Sequence, residues 1–164
     1  MSALDELITN RSNAELQAAQ SIRHIKYADM TAEQKQVYNS GLGAYRYTDV
    51  NRVGAACAEI YAIVTGYGYT VPNYTALRQN WTDSERFMPS DAQQYLATIN
   101  AIKQAFNASQ SIPASMQHIS YEDANNIEKL LQEVDALFKR ISSVFIRSGV
   151  YYGGATMYIK EAAT

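Results

Sequence analysis

Thiol and imidazole chemistry has little to work with in this chain, which carries one cysteine and two histidines among 164 residues. A lone Cys57 excludes an internal disulfide framework and a multi-thiolate metal site. His24 is expected inside the first helix and His118 just ahead of the last one, so they form no metal pair on one helical face. Basic clusters are missing too. Fourteen Lys and Arg are scattered against sixteen Asp and Glu, for a net charge of −2 and a pI near 5.7. That balance provides no pull toward phosphate backbones or anionic lipid, so neither a nucleic-acid nor a membrane partner is expected. No apolar run is long enough to span a bilayer, and Asp5 and Glu6 stand where a signal peptide would need an apolar stretch. Four Asn-x-Ser/Thr triplets, at Asn10, Asn73, Asn80 and Asn107, are coincidences without a secretory route. Gly41-Leu42-Gly43 is not followed by Lys-Ser/Thr, so it is no phosphate cradle and reads as helix termination. No cofactor and no metal are expected.

What is present is the composition of a folded domain: 47% hydrophobic and 18% charged residues. A chain of this length can bury roughly 70% of the surface its unfolded form exposes. The periodicity is helical. Ser12 with Glu15 forms a capping-box pattern that opens a helix over about 13–25, and Thr31 with Gln34 opens a short one that Gly41 closes. Thr48 is placed to cap a third helix, on which Val50, Val53, Cys57, Ile60 and Val64 share one face. Cys57 therefore reads as a core residue, not a nucleophile.

Gly66 and Gly68 end that helix, and 67–89 is a long aromatic connector. Ser90 with Gln93 marks a fourth helix carrying Ala92, Tyr95, Ile99, Ile102 and Phe106 at spacings of three and four. After a Pro-containing linker, Ser120 with Asp123 opens the longest segment. There Ala124, Ile127, Leu131, Val134, Phe138, Ile141 and Phe145 hold a heptad seam. The polar residues Glu128, Lys129, Glu133, Asp135, Lys139 and Arg140 are assigned to its other, solvated faces. Gly149 is expected to end this helix. The fold class is thus all-α, a bundle of about five helices (1–149) with a non-helical C-terminal segment (150–164).

No Ser-His-Asp or Cys-His set can be chosen from one sequence, so no catalytic residue is assigned. Tyrosine is abundant: thirteen against one Trp and four Phe. Its apolar ring and polar tip suit bundle rims, interfaces and sugar stacking. Tyr67, Tyr69, Tyr74 and Trp81 are the candidate ligand contacts, with a cell-surface glycan as the ligand. Trp81 reads first as a packing anchor. Tyr151, Tyr152, Met157 and Tyr158 in the C-terminal arm are the candidate assembly interface.

The run MTAEQKQVYNSGLGAYRYTDVNRV from Met30 to Val53 resembles a recurring segment of helical domains in tail-region virion proteins of phages and prophages from Gram-positive bacteria. Three other blocks resemble further parts of that family in the same order: LITNRSNAELQ, NWTDSERFMPSDAQQYLATINAIKQAF and SMQHISYEDANNIEKLLQEVDALF. The resemblance covers Leu7 to Phe138. It implies an all-helical, non-enzymatic structural module of the tail, baseplate or fibre-attachment region, made in the bacterial cytoplasm and located in the virion. Its partners would be other virion proteins and further copies of itself. The longer family members carry extra β-rich regions that this chain does not show. An adhesion module for a host surface is the alternative function.

Overall fold

The computed structural model describes residues 2–43 and 45–161, with side chains described through residue 143. The described residues form five α-helices and no strand: α1 (Asn13–Ile22), α2 (Ala32–Ser40), α3 (Tyr47–Gly66), α4 (Pro89–Phe106) and α5 (Tyr121–Glu161). Short 3-10 turns at Ala3–Glu6 and Tyr27–Asp29 precede α1 and α2. The all-helical expectation is met, and the capping boxes at Ser12/Glu15, Thr31/Gln34 and Ser120/Asp123 form as expected.

Several boundaries differ. Helix α1 stops at Ile22, which leaves His24 outside it and beside Arg23. Thr48 and Ser90 are not the caps of α3 and α4. Asp49 instead reaches back to the Arg46 amide at 2.7 Å and Asp91 to the Met88 amide at 3.0 Å. A carboxylate in the third helical position meets both a free amide and the positive end of the helix dipole, which a hydroxyl cannot match. Helix α5 does not end at Gly149; its backbone remains helical to Glu161. Glycine inside a helix costs about 1 kcal/mol relative to alanine but leaves the hydrogen-bond ladder intact, so it slows a helix without stopping it.

Helices α3, α4 and α5 run parallel to one another, which explains the long connectors. At one end, Asp49 and Arg52 of α3 meet Glu128 of α5. At the other, Tyr67 and Tyr69 just beyond α3, together with Phe106 of α4, pack on the Phe138 ring. A parallel neighbour demands a return trip along the whole bundle. The 67–88 connector makes that trip down α3: Tyr74 stacks on Tyr61, Leu77 to Gln79 pass Gly54, and Asn51 binds both backbone groups of Trp81 at 2.8 Å. Residues 107–120 return similarly, from Ser109 on Glu133 back to Met116 and Ile119 near Val50.

The core lies between these three helices and the segments laid over them. The expected stripe of α3 is buried from Val50 to Val64, with Cys57 fully covered. On α5, Ala124, Ile127, Leu131, Val134 and Phe138 are buried and Ile141 half-buried, while Phe145 lies outside the described side chains. Helices α1 and α2 pack on each other at the periphery. Their connection explains Gly43: a Cβ there would sit 2.2 Å from the Ala19 Cβ and 2.3 Å from the Glu15 carbonyl oxygen. Gly41 does terminate α2, at φ 68°, but Gly43 serves close approach instead.

Candidate functional site

The N-terminal strap, residues 2–11, lies along α3 and α5, with Leu4 and Leu7 in the core. Residues 7–12 are in neither helix nor strand, so their backbone groups need partners from elsewhere. Side chains of the helices supply them. Glu59 accepts from the Ser2 hydroxyl and the Ala3 amide, Glu128 from the Ile8 amide, and Asn125 pairs with both backbone groups of Arg11.

This strap delivers Arg11, 4% exposed, into the bundle. Its guanidinium bonds Asp49 of α3 at 2.9 Å and Glu128 of α5 at 2.6 Å. Arg52 of α3 bridges the same two carboxylates, with its Nε donating to Glu128 Oε2 at 3.1 Å. Two guanidiniums and two carboxylates thus alternate in a neutral ring. Burial alone would lower the Arg52 pKa, but its hydrogen bond and attraction to Glu128, with Asp49 behind it, more than reverse this. Arg11 Nε is buried without a hydrogen-bond partner among the described residues, and the Tyr45 ring stands 5.7 Å from the guanidinium carbon.

The assignment of Glu128 to a solvated face is therefore wrong; it is fully buried. Helix α5 is covered over a wide arc that takes in Asn125, Glu128 and Leu130 as well as the heptad seam. Glu128 lies four residues after Ala124 and three before Leu131, on the same stripe, and that spacing was the available signal. Beside the ring, Tyr45 and Tyr95 share a hydroxyl-to-hydroxyl hydrogen bond. Burial pushes both hydroxyls well above the usual tyrosine range; their bond opposes this for Tyr45 and adds to it for Tyr95. The Tyr45 ring beside the Arg11 guanidinium sets the tyrosine pair against the ion ring, so together they clamp the strap, the α2–α3 turn, α3, α4 and α5.

A cleft of about 610 Å³ opens next to this clamp, between the α2–α3 turn and the 81–87 segment. Tyr38, Tyr45, Tyr47, Trp81 and Phe87 supply aromatic lining, and Thr48, Asp83 and Glu85 supply polar groups. No protein-family model, curated protein or solved structure matches this chain.

The four candidate ligand contacts do not converge on one site; Tyr67 and Tyr69 alone share a neighbour. Tyr67 and Tyr69 pack on Phe138, and Tyr67 also bonds the Ser142 hydroxyl. Tyr74 stacks on Tyr61 at 4.0 Å between ring centres. Trp81 is fixed to Asn51 near the opposite end of α3, about 24 Å away along the helix axis at 1.5 Å per residue. Of the four, Trp81 alone lines the cleft. The side chains of Tyr151, Tyr152, Met157 and Tyr158 lie outside the described residues.

No group of three or more His, Cys, Asp or Glu among the described residues is arranged to hold a metal ion. His24 and His118 are both exposed. No described helix is long and apolar enough to cross a membrane.

Proposed function

We propose that this chain is a non-enzymatic structural protein of a bacteriophage virion, in the tail, baseplate or fibre-attachment region. It works by assembling with copies of itself and with other virion proteins. The four sequence blocks support the virion setting.

The length of α5 carries the assembly reading. The ends of α3 and α4 lie level with Phe138 to Ser142 of α5, where Tyr67 and Phe106 meet it. Yet α5 has 41 residues against 20 and 18 for its neighbours. The helix beyond Ser142 amounts to roughly 28 Å at 1.5 Å per residue. Its sequence contains Val144, Phe145, Ile146, Val150, Tyr151, Tyr152, Met157, Tyr158 and Ile159. Steps of three and four from Phe145 reach Ser148, Tyr152, Ala155 and Ile159, which continues the heptad pattern. A helix of this composition gains most by burying its stripe on another helix, and a second α5 provides one.

Sedimentation velocity on the full chain and on a chain ending at Gly149 tests this reading. The full chain associates as concentration rises, whereas the shortened one stays monomeric with an unchanged melting midpoint. Equal association of the two, or a full chain that stays monomeric at every concentration, overturns it.

A further inference from the structure

We propose that the cleft beside Trp81 is a binding site for a neutral saccharide, a role independent of assembly through α5. The cleft volume of about 610 Å³ is within the range of small-molecule sites. Its chemistry narrows the ligand. Arg46 brings a positive charge but already lies 4.5 Å over the Tyr38 ring. Two carboxylates, Asp83 and Glu85, share the lining with it, so a phosphate finds no net attraction. Glu85 is itself paired with Arg78 outside the cleft, and that pairing holds its carboxyl below the usual range.

An apolar ligand fits no better. It would strip water from Asp83 and Thr48, whose side chains have no protein partner among the described residues. A ligand is needed that has an apolar face for aromatic rings and an uncharged polar edge for a carboxylate and hydroxyls. A pyranose has both: its C–H face covers a ring while adjacent hydroxyls donate to a carboxylate.

Tyr47 is the exposed ring for such a face, and Trp81 is a rigid wall of the cleft beside it. The Asn51 amide grips the Trp81 backbone on both sides, the Phe87 ring meets the indole edge-on at 5.2 Å, and the Arg78 guanidinium lies 4.3 Å over it. An aromatic side chain fixed in this way loses little freedom on binding. Tyr47, 40% exposed, and Asp83 also line the cleft without belonging to the core.

Trp81 is the chain's one tryptophan, so intrinsic tryptophan fluorescence reports this cleft. The full chain is titrated with maltohexaose, cellohexaose, mannohexaose and chitohexaose, with adenosine monophosphate and tetramethylammonium as contrasting probes. At least one hexasaccharide produces a saturable change in emission. Tyr47→Ala and Asp83→Ala each weaken that binding tenfold or more while helix content and melting stay as in the parent. The proposal fails if no hexasaccharide produces a saturable change. It fails equally if only a charged probe does, or if both variants bind as tightly as the parent.

Discussion

Replacing Glu128 with alanine removes the acceptor through which α5 holds both the N-terminal strap and α3. The carboxylate takes hydrogen bonds from the Ile8 amide, from Arg11, and from Arg52 through two nitrogens. Without it, Arg11 and Arg52 face each other across Asp49 alone, and one net positive charge stays buried where Arg11 is 4% exposed. Breaking a buried ion pair in this one-sided manner costs about 3–5 kcal/mol. That is a large share of the ~5–15 kcal/mol that holds a typical domain together. Urea unfolding followed by circular dichroism measures the loss. A double variant, Arg11→Met with Glu128→Met, leaves Asp49 and Arg52 as a neutral pair. It should be at least about 1 kcal/mol more stable than the two single Met substitutions summed, because neighbours in one network are not additive. Raising salt to about 1 M, where the screening length is ~3 Å, should leave the cost of Glu128→Ala nearly unchanged since the ring is out of water. A cost below about 1 kcal/mol, or one that disappears in salt, refutes the buried ring.

Leu131→Ala and Phe138→Ala should each cost about 2–5 kcal/mol in the same assay, through lost burial and the cavity left behind. Phe138 also carries the Tyr67, Tyr69 and Phe106 rings, and its loss should loosen that end of the bundle first, as read by hydrogen exchange. Gly43→Ala drives a methyl into the Ala19 side chain and the Glu15 carbonyl, so it should destabilise by about 1–3 kcal/mol and displace α1, seen as amide shifts in α1 by NMR. Burial pushes the Cys57 thiol up to about 12 from 9, so native Cys57 should label slowly with thiol reagents and rapidly in denaturant. Between pH 9 and 12 the unfolded chain has lost that proton and the native one has kept it. Stability therefore falls as pH rises through this window, and Cys57→Ala should remove up to about 1.4 kcal/mol per pH unit from the slope.

The helices were legible because their signals are local. A hydroxyl three residues ahead of a carboxylate or amide marks a start, as at Ser12 and Thr31, and the 3,4 stripes of α3, α4 and α5 mark the buried faces. The caps at Asp49 and Asp91 were misread because a hydroxyl nearby offered an equally familiar pattern. The length of the 67–88 connector has no local cause, since it follows from the parallel direction of α3 and α4, a property of the whole bundle. The ion ring was invisible for the same reason: Asp49 and Glu128 lie 38 and 117 residues beyond Arg11 and meet it only in space. A charged residue on an apolar stripe, as Glu128 is, was the one trace of it. The cleft was half legible. Trp81 is a sequence candidate, but the tyrosines that share its cleft are Tyr38 at the end of α2, Tyr45 in the turn after Gly41 and Tyr47 at the start of α3.

The proposed place of this chain in a virion makes it a stoichiometric component of the particle. Phage particles released from the cells that encode it, purified on a density gradient, can be analysed by quantitative mass spectrometry against a known tail protein. The chain should co-purify at a fixed number of copies per particle, and particles made without it should lack a defined piece of the tail when viewed by electron microscopy. Complete particles that contain none of the chain, with all of it left in the lysate, would contradict the account.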